Sequence, residues 1–200
     1  MLSEDDFRRA IGEYFTEIQD CITAGFNRWF EIPVEFRVIA SGRTRASFIH
    51  DAIKNEAQSR FAYVPSIELM EVRNLFLIKF GEEVLLRFKK FDKRFRPQNI
   101  PTGQTRLFSQ QGIQESLFGV PFATKVIAGY QTDIAHAEIQ WTGITCPDGK
   151  HYHWFINFEK PSTPIFSFQN DQGLSEETVS GTEPRPKEDT INEKGGDENI

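Results

Sequence analysis

The run from Arg87 to Arg96 combines the two residue types that a single-stranded nucleic-acid site requires, namely cations and aromatic rings. Its basic side chains could follow a phosphate backbone, and Phe88, Phe91 and Phe95 lie between them as surfaces on which bases stack. The basic residues are Arg87, Lys89, Lys90, Lys93, Arg94 and Arg96. The same order also arises when strand phenylalanines face a core and lysines face water. The run therefore indicates either a site for a polyanion or partner, or a solvated strand end.

Polar side chains continue this basic run into the connection that follows it. Asn99, Thr102 and Gln104 could donate hydrogen bonds to phosphates or base edges. Equally, they could satisfy the backbone of their own loop. We include the three residues in the predicted site for a polyanion or protein partner.

A second cationic segment opens the second predicted helix. Thr44 is a reasonable N-cap, and Arg43 and Arg45 stand on either side of it. The free amides of a helix N-terminus beside two arginines would favour an anion. Arg43 and Arg45 therefore join the predicted polyanion site.

His50 and Asp51 are the weak catalytic candidates of the sequence. Adjacent side chains on a helix point about 100° apart, so the two do not face one another. A nuclease-like reaction would need further groups, for example Glu56 or Asp92. The polar face of a helix is the simpler interpretation of the pair.

A metal or cofactor site is not predicted. His151 and His153 form a His-x-His pair on a predicted strand, but a third ligand is needed, and His136 and His50 are the remaining histidines. CxxC, HExxH, P-loop and GxSxG patterns are absent from the sequence. Cys21 and Cys146 are far apart in sequence, and we expect both to be reduced.

The elements that must position these residues follow from hydrophobic periodicity. Apolar steps of three and four predict one long helix from Ser3 to Glu31 and a second from Thr44 to Phe61, with a short strand or bridge over Val34 to Ala40 between them. Alternating patterns then predict strands at 67–72, 74–80, 84–91, 124–131, 137–145 and 152–158. The long connection 92–123 carries a polar helical piece near 105–115. The fold class is α+β: two N-terminal amphipathic helices packed on a mainly antiparallel β-sheet.

Charge divides the chain of 200 residues into a domain and a tail. The formal charge of −6 is concentrated after residue 170, where nine acids face three bases, and few large apolar residues occur there. We predict a single α+β domain over 1–169 and a disordered acidic tail over 170–200, which could screen the basic region. Residues 72–110 carry nine bases against three acids. The N-terminus lacks an apolar leader and no run is long enough to span a membrane, so we expect a cytoplasmic protein.

Five short motifs resemble a poorly characterised prokaryotic family. They are GRTRASFIHD (42–51), LRFKKFD (86–92), NIPTGQ (99–104), AGYQTD (128–133) and HWFINF (153–158). That family is met beside helix-turn-helix regulators fused to a metallopeptidase-like domain, in mobile elements and candidate toxin–antitoxin loci. The resemblance implies a small cytosolic effector that is neutralised by a DNA-binding partner protein encoded nearby. It supplies no catalytic assignment.

Three functional hypotheses follow from the sequence. The first is an interaction or effector protein, such as the toxin of a toxin–antitoxin or phage-defence unit, whose basic hairpin end contacts a partner or polyanion. The second is a nucleic-acid-acting enzyme that uses His50 and Asp51. The third is a nucleic-acid-binding module without catalysis. Salt-dependent binding and the effect of replacing His50 distinguish them.

Overall fold

Apolar residues at three- and four-residue steps fold the two predicted helical segments of the first 61 residues into helices. The structure, a computed structural model, describes residues 1–98, 102–111, 122–149 and 151–158. Its helices are α1 (Glu4–Ile11), α2 (Phe15–Glu31), α3 (Val34–Ile39), α4 (Gly42–Phe61) and α5 (Gly103–Phe108). All described residues lie within one compact unit, Met1–Ser162. The predicted acidic tail lies outside the described residues.

The first predicted helix is divided in two. A 3₁₀ turn over Gly12–Tyr14 separates α1 from α2, and Ile11 leaves the helical region with φ −133°. Gly12 is a poor helix former, because glycine loses the most backbone freedom on ordering. The apolar spacing of three and four residues continues across this short break. For this reason the sequence alone predicts one continuous helix.

The predicted strand over Val34 to Ala40 is wrong, since these residues form the short helix α3. Pro33 lies at its N-cap, and its carbonyl accepts hydrogen bonds from the amides of Phe36 and Arg37. None of its side chains is buried. The β-branched composition therefore suggested a strand, although no strand of the described residues pairs with this segment.

Six strands form a single sheet in sequence order. They are β1 (Ile67–Val72), β2 (Leu75–Phe80), β3 (Val84–Lys90), β4 (Thr124–Thr132), β5 (Ile139–Asp148) and β6 (His151–Asn157). All neighbouring pairs are antiparallel except β3 and β4, which are parallel. The parallel pair requires a long crossover, and the connection that contains α5 provides it. The α+β fold class is confirmed.

The two faces of the sheet have different partners. Phe88 of β3 and Val126 of β4 face the helical layer, where they join a core with residues of α1, α2 and α4. Leu85 and Ile127, the alternate residues of the same strands, lie on the opposite face in a smaller cluster with Phe108 of α5. Successive side chains of a strand point to opposite faces of the sheet, so each of these strands contributes residues to both clusters. The two cysteines are free and buried, and burial raises the pKa of each thiol to about 12.

Candidate anion-binding pocket

A cavity of about 220 Å³ lies between the start of α4 and the ends of β3 and β4. Its wall combines an apolar floor from the helices with basic and polar side chains from the start of α4, the strand ends and the turns that follow them. The lining residues are Phe26, Gly42, Arg45, Ala46, Ile49, Lys90, Gln98, Tyr130, Thr132 and His136. We call this cavity the anion pocket, because Arg45, Lys90 and His136 all face it.

Strand pairing brings Lys90 and Tyr130 into the anion pocket. The two residues are register partners in the parallel ladder, next to the hydrogen bond from the Phe91 amide to the Tyr130 carbonyl at 2.8 Å. Both belong to the set of alternate residues that faces the helices, as Phe88 does. Lys90 therefore ends the core-facing row of β3 with a cation.

A tight turn after β4 places His136. Asp133 accepts hydrogen bonds at Oδ1 from the amides of Ala137 and Glu138, at 2.7 and 3.1 Å, and the His136 amide donates to the Asp133 carbonyl. His136 adopts φ 58°, a left-handed conformation that is uncommon outside glycine. The turn thereby holds the imidazole over the strand end and occupies one oxygen of the nearest carboxylate.

The hydrogen bonds of His136 define its tautomer. Its Nδ1 lies 2.9 Å from Lys90 Nζ and 2.7 Å from Thr132 Oγ1. An ammonium group can only donate, so Nδ1 is the acceptor and the proton of the neutral ring is on Nε2. His136 thus adds an N–H donor to the donors of Arg45 and Lys90.

Electrostatics in the anion pocket oppose further positive charge. Burial, followed by Lys90 and Arg45, lowers the pKa of His136, and Asp133 acts in the opposite direction. Burial and Arg45 likewise lower the pKa of Lys90. Burial raises the pKa of Tyr130, so its hydroxyl stays protonated. Such a site gains stability from an anion, which relieves the repulsion among its cations.

The pleat divides the predicted basic run between two faces of the sheet. Arg87 is only 3% exposed, and its guanidinium lies 5.1 Å from the centre of the Phe108 ring on the face away from the anion pocket. Burial lowers its pKa to about 10, and burial with Arg87 lowers that of Lys89 to about 8. Of this strand segment, Lys90 is the member that lines the anion pocket.

The other predicted polyanion residues either do not line the anion pocket or fall outside the described part. Arg43 is exposed on the first turn of α4 and does not line the cavity. Lys93, Arg94 and Arg96 occupy the turn between Phe91 and Pro97, where Arg96 pairs with Asp92 at 2.9 Å. Thr102 caps α5 by accepting from the Thr105 amide, and Gln104 belongs to that helix. Asn99 falls outside the described residues.

His50 and Asp51 lie on α4, outside the lining of the anion pocket. His50 is partly buried on α4, where burial, followed by Lys89, lowers its pKa to about 4. Asp51 is exposed. The two further acids that catalysis would need are engaged elsewhere, since Glu56 pairs with Arg28 and Asp92 with Arg96. This arrangement gives the enzyme hypothesis no geometric support.

The His-x-His pair has one acidic neighbour. His153 Nε2 lies 3.5 Å from Asp148 Oδ2 across the β5–β6 hairpin. Within the described ranges, no group of three histidine, cysteine, aspartate or glutamate side chains is close enough to hold a metal ion.

Four polar residues of the anion pocket were missed from the sequence: Gln98, Tyr130, Thr132 and His136. Tyr130, Thr132 and His136 reach Lys90 through the parallel pairing of β3 with β4, which joins segments about forty residues apart. Gln98 is placed by the turn after β3, where its amide donates to the Lys90 carbonyl. The Thr132-Asp133-x-x-His136 spacing is a turn signal, but it does not reveal that the turn stands beside Lys90.

Comparison of the chain with protein-family models, curated proteins and solved structures gives no match. The family resemblance of the five motifs therefore stays a prediction. Among the described residues, no helix has the length and apolar character needed to cross a membrane.

Proposed function

We propose that the protein is a polyanion-binding interaction protein that seats a phosphate group of a nucleic acid in the anion pocket. The observation that carries this proposal is the convergence of Arg45, Lys90 and His136 on one cavity. All three present N–H donors, and charge-assisted hydrogen bonds to phosphate are stronger than neutral ones. The amide of Gln98 and the hydroxyl of Tyr130 add neutral donors.

The surroundings of the anion pocket favour a phosphate of a longer chain over an isolated ion. Gln98 and Lys90 stand at the two ends of the turn that carries Lys93 and Arg94, both of which are exposed. A strand with one phosphate in the pocket could continue along these cations. Each additional phosphate contact releases counterions and makes binding more dependent on salt.

The biological setting is a separate part of the proposal. On the resemblance of its motifs, the protein acts in the cytoplasm as the effector of a toxin–antitoxin or phage-defence unit, with a DNA-binding partner protein encoded nearby. The non-catalytic nucleic-acid-binding hypothesis agrees best with the geometry of the anion pocket. The nuclease-like hypothesis would require His50 and Asp51 to act, and both lie outside the pocket lining.

Fluorescence anisotropy with a labelled single-stranded oligonucleotide tests the proposal. We expect Arg45→Ala and Lys90→Met each to weaken binding by about tenfold, the cost of one charge-assisted hydrogen bond. The slope of log affinity against log salt should fall by about one for each variant. Arg43→Ala is the matched control. It removes the same charge from a side chain that lies two residues before Arg45 and does not line the cavity.

The control separates a defined pocket from a general effect of charge. We expect Arg43→Ala to weaken binding by no more than about threefold, while thermal unfolding shows all variants folded. Equal losses for Arg43→Ala and Arg45→Ala, or binding that does not depend on salt, would refute a phosphate site in this cavity.

A further inference from the structure

Five aromatic side chains form a continuous row on the sheet face opposite the helical layer. In order they are Phe91, Trp141, Phe95, Phe155 and Tyr152, and we call them the aromatic row. Successive ring centroids are 5.4, 5.1, 6.0 and 5.4 Å apart. Phe95 and Phe155 are stacked with an interplanar angle of 17°, and the other contacts are edge-on.

Two paired glycines provide the floor beneath the buried end of the aromatic row. Gly129 and Gly143 are register partners on β4 and β5. A Cβ atom at Gly143 would lie 2.5 Å from the Trp141 ring, and one at Gly129 would lie 2.6 Å from the Phe91 ring. The rings therefore lie across the bare backbone, and the Trp141 indole N–H donates to the side chain of Asn157.

The other end of the aromatic row is open to solvent. Phe155 and Tyr152 are 39% and 40% exposed, although both are large aromatic residues on a strand of a sheet. Phe95 lies in the turn between two exposed cations, Arg94 and Arg96, and Arg96 pairs with Asp92, the acid of that turn. Exposed rings beside cations match the composition of a surface that stacks bases and contacts their phosphates.

We propose that the aromatic row is a base-stacking surface for single-stranded nucleic acid, with Phe155 and Tyr152 as the rings that bases contact. This inference rests on the proposed function for the negative charge of the ligand. Its own evidence is the set of rings on the sheet face opposite the anion pocket. It specifies a single strand, because the bases of a duplex are already stacked on one another and do not offer free faces.

The geometry also predicts little sequence preference. Every base has a π-face, so stacking on phenylalanine or tyrosine tolerates all four bases. Asp148 follows Pro147, the register partner of Tyr152, so this acid would repel a phosphate placed next to Tyr152. We therefore assign the phosphates to the side of the row nearest Lys93 and Arg94.

Binding of three probes to the full chain tests this inference: an oligothymidine strand, a DNA duplex of equal length, and inorganic polyphosphate of similar charge. The variants are Phe155→Leu and Tyr152→Leu, which keep an apolar side chain and remove the flat ring. Tyr63→Leu is the matched control, since Tyr63 is 94% exposed and is not part of the row. Arg45→Ala is measured in parallel.

We expect oligothymidine to bind more tightly than the duplex or polyphosphate. Phe155→Leu and Tyr152→Leu should each lose about tenfold in affinity for oligothymidine, with polyphosphate binding and Tyr63→Leu unchanged. Unchanged oligothymidine binding in both ring variants would overturn the stacking surface. If Arg45→Ala still weakens the binding of every probe in that case, the anion pocket is supported and the stacking surface is refuted. If only the ring variants weaken binding, the stacking surface is supported and the anion pocket is refuted.

Discussion

At the scale of single residues, burial decides which titratable groups respond to their surroundings. His50 and His136 both have lowered pKa values, and in each case burial is the largest cause. They differ in what surrounds them. His136 faces the anion pocket with Arg45 and Lys90, whereas His50 lies outside it, on α4.

The lowered pKa of His50 predicts that the folded protein loses stability in mild acid. This pKa of about 4 in the folded protein lies below the ordinary value of 6.5, so the unfolded chain binds the proton more tightly. The stabilising contribution is complete above pH 6.5 and is lost as the pH falls towards 4. Nearby Lys89, Arg87 and Lys54 lower this pKa, and Asp51 raises it.

Urea unfolding at pH 7 and at pH 4.5 measures this contribution. Between pH 7 and pH 4.5, we expect the free energy of unfolding to fall by on the order of 2 kcal/mol more in the wild type than in His50→Gln. His151→Gln is the control, since His151 is exposed and should behave as wild type does. An identical pH dependence for wild type and His50→Gln would contradict the buried neutral imidazole.

At the scale of elements, close packing of α2 on α4 fixes the wall of the anion pocket. A Cβ atom at Gly25 of α2 would lie 2.5 Å from the backbone nitrogen of Ile53 in α4. Phe26, the next residue, lines the anion pocket together with Ile49 of α4. The absence of a side chain at Gly25 therefore allows the helix approach that closes the cavity.

Gly25→Ala should consequently destabilise the protein. The added methyl group meets backbone atoms, which cannot rotate away, and overpacking of this kind costs about 1–3 kcal/mol. At Gly12 nothing lies within 4 Å of the added atom, so Gly12→Ala should be neutral or slightly stabilising. Thermal unfolding of the two variants compares their stabilities. A Gly25→Ala protein as stable as Gly12→Ala would refute the close approach of α2 to α4.

Local sequence signals predicted most elements of the fold but not the pairing that builds the site. Period-two alternation located the six strands of the described residues. The parallel pairing of β3 with β4 spans a long crossover and leaves no local pattern. For that reason Arg45 and Lys90 were predicted as site residues, while Tyr130 and His136 were not.

At the scale of the whole molecule, one sheet separates two features that the sequence presents as a single basic run. Lys90 faces the helical side and the anion pocket, whereas Arg87 faces the other side, beneath Phe108. The turn that follows β3 contains Phe95, which joins the aromatic row. Alternation along β3 therefore determines which cations can take part in each proposed contact.

The central claim is that the anion pocket takes up a tetrahedral oxyanion such as a nucleic-acid phosphate, and the pKa of His136 measures this most directly. Sulfate is a suitable stand-in for phosphate because its charge is constant across the titration of histidine. We would follow the four histidine resonances by NMR from pH 4 to 8, in chloride and in sulfate at equal ionic strength. We predict that sulfate raises the pKa of His136, because a bound anion offsets the repulsion from Lys90 and Arg45. The same His136 pKa in both salts would contradict the anion pocket.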